Sequence, residues 1–156
     1  MNFLVKKSAS LRGEIDIPGD KSISHRAIML ASLSEGRCEI SGLLEGEDCL
    51  ATIEVFRKMG VKISSNEGVY YIEGNGIKGL KQPMAPLDFG NSGTSIRLCS
   101  GVLSAQNFPT TLIGDSSLSS RPMQRIVEPL TLMGAKISSS QEGTLPLSIL
   151  PTESLK

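Results

Sequence analysis

Two stretches hold the residues with the clearest chemistry. In Pro18-Gly-Asp-Lys-Ser-Ile-Ser-His-Arg26 a Gly-containing turn enters a helical pattern, with Lys21 and Ser22 at the helix start and Arg26 about one turn in. In Asp88-Phe-Gly-Asn-Ser-Gly-Thr-Ser-Ile-Arg97 a second turn of small residues enters a second helical pattern, again with an Arg one turn in. Small residues let a ligand approach the backbone, and the free N–H groups of a helix start attract anions. A cation inside the first turn adds charge, so phosphate or carboxylate binding is the chemistry these residue types suit. One such turn alone reads as an ordinary N-cap with a solvated Arg. Two of them at matching positions favour an anion site. If both helix starts face one cleft, Lys21, Arg26, Arg97 and Arg121 converge. Two like charges about 6 Å apart repel by roughly 3 kcal/mol at an effective dielectric near 20, so such a cluster makes sense with an anionic ligand. Neither stretch is a Walker A loop, because GxxxxGK[ST] is absent, and Gly90-Asn-Ser-Gly93 lacks the dinucleotide-binding spacing.

The elements that must position these turns repeat along the chain. Met59-Gly-Val-Lys-Ile-Ser-Ser65 recurs as Met133-Gly-Ala-Lys-Ile-Ser-Ser139, and each copy runs on to a Glu-Gly pair, Glu67-Gly68 and Glu142-Gly143. Upstream, Ile53, Glu54 and Phe56 match Val127, Glu128 and Leu130, Gly42 matches Gly114, and Arg26 matches Arg97. The ordered series reads as two tandem copies of one βαβαββ unit, an α+β (mixed α/β) architecture. The predicted first-unit elements are a strand over 11–17, a helix over 24–34, a strand over 37–41, a helix over 49–59 and a hairpin of 61–65 with 69–73. In the second unit they are a strand over 87–89, a helix over 94–105, a strand over 110–113, a helix over 122–133 and a hairpin of 135–139 with 145–150. Ile23, Ala27, Leu30 and Ala31 give the first helix its apolar spacing. Asp48 and Ser120 are the expected N-caps of the later helices, with Pro122 at a first helical position. Gly60 and Gly134 are the expected C′ residues, and Pro129 should kink the last helix. The expected division is an N-terminal segment 1–17, a first unit 18–82 and a second unit 83–156.

Composition narrows the function classes. Lys plus Arg and Asp plus Glu are 16 each, so the net charge is zero, which argues against a nucleic-acid or membrane-surface binder that works by bulk charge. Aromatics are only 4%, so the core rests on Leu, Ile, Val, Met and Ala. Three scattered cysteines, Cys38, Cys49 and Cys99, and a single His argue against a disulfide framework or a zinc site and for a reducing compartment. No apolar run reaches signal-peptide or transmembrane length, and a cytoplasmic location is expected.

The stretches PGDKSISHRA (18–27), GLLEGEDCLAT (42–52), LDFGNSGTSIRL (87–98) and IGDSSLSSRPM (113–123) closely resemble the EPSP synthase family, also called 3-phosphoshikimate 1-carboxyvinyltransferase. The resemblance runs from about Leu11 to Leu150. It implies transfer of the enolpyruvyl group of phosphoenolpyruvate to the 5-hydroxyl of shikimate 3-phosphate, with release of phosphate, in aromatic amino-acid and chorismate biosynthesis. It implies no metal and no organic cofactor, and a fold of two domains, each of three βαβαββ units. By resemblance, Lys21 is the catalytic residue and contacts both substrates. Ser22 and Arg26 hold shikimate 3-phosphate, while Asn91, Gly93, Thr94 and Arg121 line the phosphoenolpyruvate site. Arg97 and His25 support the cluster. The 1–17 segment belongs with the other domain, and the third unit and that second domain lie outside these 156 residues. The family's acidic catalytic residues lie there too, so the chain alone is expected to be an inactive portion of an enzyme that is monomeric at full length, with its C-terminal half as partner.

Other residues take plainer readings. His25 cannot be a shared general base, since family members carry Asn there, and a hydrogen-bonding role behind the substrate suits it. Asp48 reads as an N-cap in a solvated turn, not a metal ligand, and Asp115 reads as a turn residue. Met29, Met59, Met123 and Met133 read as core filler. Two other functions fit the same anion-binding pattern. One is the related enolpyruvyl transferase acting on UDP-N-acetylglucosamine, whose Lys-Asn entry motif this chain lacks. The other is a non-catalytic anion-binding module that needs a partner chain.

Overall fold

The computed structural model describes residues 2–153 and 155–156. Helix α1 (Lys21–Leu33) is followed by strand β1 (Glu35–Ser41), helix α2 (Glu47–Lys58), strand β2 (Lys62–Asn66) and strand β3 (Val69–Asn75). The three strands form one antiparallel sheet in the order β1-β3-β2. The β2–β3 hairpin turns on Glu67-Gly68, where both residues have positive φ, 49° and 76°, as a tight two-residue hairpin requires. Along β3, Tyr70 and Ile72 point into the core, while Tyr71 on the other face lies under the Arg37 guanidinium at 4.5 Å. Gly74 lets α1 cross β3 closely: a Cβ there would stand 2.2 Å from the Ser34 carbonyl oxygen.

The second half holds strand β4 (Leu87–Asp88), helix α3 (Gly93–Ser104), strand β5 (Thr110–Ile113), helices α4 (Ser116–Ser119) and α5 (Gln124–Leu132), and strands β6 (Lys136–Ser138) and β7 (Leu147–Leu150). Its sheet runs β4-β5-β7-β6, with β4 parallel to β5 and the other pairs antiparallel. Thus β5, β7 and β6 repeat the order of β1, β3 and β2, and β4 is an added parallel edge. Helices α1, α2 and α3 pack on one another, above a core that includes Ile28, Ile53, Phe56 and Ile72 from one half and Phe89, Ile96, Leu112 and Leu147 from the other. A fully buried Phe such as Phe56 or Phe89 contributes about 1.5–3 kcal/mol by apolar transfer alone.

Several expectations are corrected. Residues 11–17 form no strand, and Leu11, Ile15 and Ile17 are exposed; no neighbouring strand among the described residues offers them a ladder. Helix α1 starts at Lys21, earlier than expected, because the Asp20 carboxylate accepts from the Ile23 N–H at 2.8 Å and caps it there. Its buried face is Ser24, His25, Ile28, Met29, Ala31 and Ser32, while Ile23 and Leu30 face out. Small serines allow close helix contact and satisfy themselves on their own helix: Ser32 donates to the Ile28 carbonyl at 2.7 Å. Buried Ser100 and Ser104 do the same on α3. Helix α2 begins at Glu47 with Gly46 as cap, so Asp48 stands in its first turn. The expected helix over 122–133 is observed as α5 over Gln124–Leu132, and a separate short helix, α4, precedes it. Ser120 does not cap α5: it closes α4, whose own N-cap is Asp115, and α5 starts after Met123 without a side-chain cap. The two helices separate at Arg121-Pro122, since a residue before Pro is driven from helical backbone. Met133 is 43% exposed and does not fill the core.

Candidate functional site

Both helix starts are locally well determined. At the first, Lys21 and Ser22 occupy the opening turn of α1, and the Ser24 hydroxyl accepts from the Leu44 N–H at 3.0 Å, tying the β1–α2 loop to the helix. That loop leads into α2, whose Asp48 carboxylate forms an ion pair with Lys21 Nζ. At the second, the Ser92 hydroxyl caps α3 by accepting from the Ser95 N–H at 3.3 Å. Arg97 folds back on that entrance, donating to the Gly93 carbonyl at 3.1 Å and the Pro122 carbonyl at 3.3 Å. Arg121 donates to Asn91 Oδ1 at 2.5 Å and to the Ser117 hydroxyl at 3.3 Å.

Gly93 is what lets these cations crowd the backbone. A Cβ at that position would lie 2.7 Å from Arg97 Nη1 and 3.0 Å from Arg121 Nη1. Either guanidinium can swing, but only by leaving its present place. The entrances meet at Asn91. A hollow of about 370 Å³ is lined by Lys21, Leu44, Gly46, Glu47, Asp48, Cys49 and Asn91. Asn91 therefore borders Lys21's cavity while its side chain holds Arg121.

The charges on the two sides differ. Lys21 is matched by Asp48. Among the described residues, no carboxylate lies within ion-pair distance of Arg97, Arg121 or Arg125. Burial first, then Arg125 and Arg121 nearby, pull the Arg97 pKa below its usual value, as expected where cations gather without partners.

Behind the entrances, three helices share one polar contact. His25 is fully buried on α1, and its Nδ1 lies 2.7 Å from the Thr52 hydroxyl of α2. The Thr52 hydroxyl in turn lies 2.7 Å from the Ser95 hydroxyl of α3. It also lies 3.2 Å from the Asp48 carbonyl, so its one proton goes to Ser95 or to that carbonyl, and Thr52 accepts from His25 Nδ1–H. His25 Nε2 is buried without a partner. Protonation would place an unpaired charge in the core, and burial, then Lys21, then Arg26 hold the His25 pKa below the ordinary range. The geometry makes His25 a tie between helices, not a proton donor.

Of the residues singled out from sequence, Lys21, Asn91, Gly93, Arg97 and Arg121 lie along this connected surface. Thr94 is half-buried in the first turn of α3. Ser22 and Arg26 are exposed on α1 and do not line the hollow; Arg26 donates to the Ser22 carbonyl at 3.1 Å. The sequence reading missed Arg125, although its four-residue spacing from Arg121 was visible. It also missed the pairing of Asp48 with Lys21. Among the described residues, no group of three or more His, Cys, Asp or Glu side chains is placed to hold a metal ion, and no helix is long and apolar enough to cross a membrane.

The chain matches known proteins over nearly its whole length. The family model described as EPSP synthase (3-phosphoshikimate 1-carboxyvinyltransferase) matches residues 5–156. A protein of Alkalilimnicola ehrlichii named 3-phosphoshikimate 1-carboxyvinyltransferase is 56% identical over 150 residues, which is 96% of this chain and 34% of that protein. One of the same name from Methylococcus capsulatus is 55% identical, covering 99% of this chain and 36% of its own length. A solved EPSP synthase structure from Acinetobacter baumannii superposes with a TM-score of 0.88 at 52% identity, over 92% of this chain and 33% of that one. The chain thus spans about a third of the length of these relatives.

Proposed function

The chain belongs to the EPSP synthase family, and from that premise we propose that it forms the cationic wall of a site that joins phosphoenolpyruvate to shikimate 3-phosphate. The reaction moves the enolpyruvyl group onto the 5-hydroxyl and releases phosphate. Both substrates carry multiple negative charges, and the observation that carries the reading is the meeting of two helix entrances at Asn91, with Lys21 on one side and Arg121 on the other.

The roles that the family resemblance implies are compatible with that geometry. Arg121, beside the Gly93 backbone, offers a cation without a carboxylate partner to phosphoenolpyruvate, with Asn91 and Thr94 at its flank. Lys21 stands between the two substrates, where it stabilises charge on the transferring group. Ser22 and Arg26 lie on the exposed side of α1 and take the shikimate phosphate from outside the hollow. Arg97 holds the Gly93 carbonyl, and His25 fixes α1 to its neighbours. The addition needs a proton for the methylene carbon and a base for the attacking hydroxyl. Those groups belong to the further length that the relatives possess, and the chain acts with it as one enzyme, in the cytoplasm, without metal or organic cofactor. Units 18–82 and 83–156 are the natural division, a reading supported by the shared strand order of the two sheets. The 1–17 segment pairs outside these units, which the exposure of Leu11, Ile15 and Ile17 supports.

Calorimetric titration tests the reading. The chain should take up shikimate 3-phosphate, and phosphoenolpyruvate in its presence, but not UDP-N-acetylglucosamine. Arg121→Ala should abolish the phosphoenolpyruvate step and leave the first step measurable. Uptake of the UDP-sugar alone would refute the substrate assignment.

A further inference from the structure

We propose that Asp115 is a positioning residue for Arg121, acting by fixing which way the Asn91 amide points. The inference rests on the reading that Arg121 receives phosphoenolpyruvate, and adds the device that aims it.

Asp115 holds three places at once. Its backbone N–H donates to the Gly90 carbonyl at 2.9 Å, joining the β5–α4 loop to the turn before α3. Its Oδ1 accepts from the Leu118 N–H at 2.7 Å. Its Oδ2 accepts from Asn91 Nδ2 at 2.8 Å. A carboxylate only accepts, so the Asn91 amide must turn its NH2 toward Asp115 and its oxygen away. That oxygen is the atom Arg121 Nη2 donates to at 2.5 Å. Reversal would set oxygen against oxygen at Asp115 and nitrogen against nitrogen at Arg121. The Leu118 and Asn91 hydrogen bonds hold the Asp115 carboxyl below its usual pKa, so it stays an acceptor through the neutral range.

The arrangement orients Arg121 through neutral groups. Its acceptors are an amide and a hydroxyl, Asn91 and Ser117. A carboxylate in direct contact would orient the guanidinium equally well but cancel its charge. Set one residue back, Asp115 supplies direction while Arg121 keeps its attraction for an anion.

The test uses the 156-residue chain and the variant Asp115→Ser, whose hydroxyl can still cap the Leu118 N–H but offers no second acceptor to Asn91. Shikimate 3-phosphate is titrated first, then phosphoenolpyruvate, with thermal melting and 15N–1H NMR of the Asn91 side-chain amide in parallel. The expected result is phosphoenolpyruvate binding weakened about tenfold or more, the size of one hydrogen bond to a charged group. Shikimate 3-phosphate affinity and the melting temperature stay near wild type, and the Asn91 amide protons move toward solvent values. Unchanged phosphoenolpyruvate affinity in the variant, or equal loss of both ligands, overturns the inference and leaves the substrate reading standing. A wild-type chain that takes up no phosphoenolpyruvate overturns both.

Discussion

The two halves of the molecule carry the same device in different electrical states. At α1 the entrance lysine is neutralised by Asp48 from the next helix. At α3 the entrance arginines are held by carbonyls, an amide and a hydroxyl, with no carboxylate in reach among the described residues. The sheets differ in parallel. The second half has a short parallel strand, β4, leading directly into its turn, so Asp88 Oδ1 accepts from Gly90 N–H at 2.9 Å and the backbone arrives fixed. The first half has no such strand among the described residues. A duplicated scaffold can therefore offer one unpaired, strongly attracting site and one internally balanced site, simply by where its carboxylates fall.

The largest effect should come from the cores. Phe56 and Phe89 are both fully buried, one in each half. Either Phe→Ala change should cost about 3–5 kcal/mol, read by urea unfolding. One cooperative transition in both variants would mean the halves stand or fall together through α1, α2 and α3. Two separated transitions would break the picture of a shared core.

Gly93→Ala comes next. The new methyl must displace Arg97 or Arg121 at contact distances of 2.7 and 3.0 Å, so phosphoenolpyruvate affinity should drop by about a hundredfold, roughly 2.7 kcal/mol. Shikimate 3-phosphate affinity should be largely kept, since the residues proposed for it belong to the other half. Calorimetry showing equal loss of both would erase the division of labour between the entrances.

Asp48→Asn probes the balanced half. Releasing Lys21 should tighten shikimate 3-phosphate binding about three- to tenfold at low salt, with the gain fading at high ionic strength. No gain at low salt would mean that the ion pair does not restrain Lys21.

The smallest effect is in pH. His25 has a lowered pKa in the folded protein, against an ordinary value of 6.5. Above that value neither state binds the proton, and His25 is indifferent. Below it the unfolded chain is protonated first, so folded stability falls as pH drops, by at most about 1.4 kcal/mol per pH unit, until the folded pKa is reached. Denaturation between pH 7 and 5 should thus be less steep in pH for His25→Asn than for wild type. Identical slopes would count against the buried neutral imidazole.

The repeat, the hairpins, β5 and the C′ glycines Gly60 and Gly134 were legible in the sequence because each rests on local pattern. Both glycines do adopt positive φ, 88° and 94°. The inward face of α1 was not legible. Its packing relies on small serines and a histidine, so counting apolar residues selected Ile23 and Leu30, which face out. The cap of the last helix was misplaced. Ser120 stands just ahead of Pro122 and suits a helix start, but α4, capped by Asp115, ends on it, and α5 starts after Met123 without a side-chain cap. At the site, residue types announced an anion, but which cation stays paired depends on Asp48 reaching across from another helix. The chain of contacts from Asp115 to Asn91 to Arg121 joins positions far apart in sequence, and no spacing rule marks it.

One feature governs how the protein will behave in the tube. Strand β1 is an outer member of its sheet, and among the described residues no strand pairs with its far side. Such a border is a template on which identical molecules can stack. The exposed charges of Glu35, Arg37 and Glu39 along it are the guard against that fate.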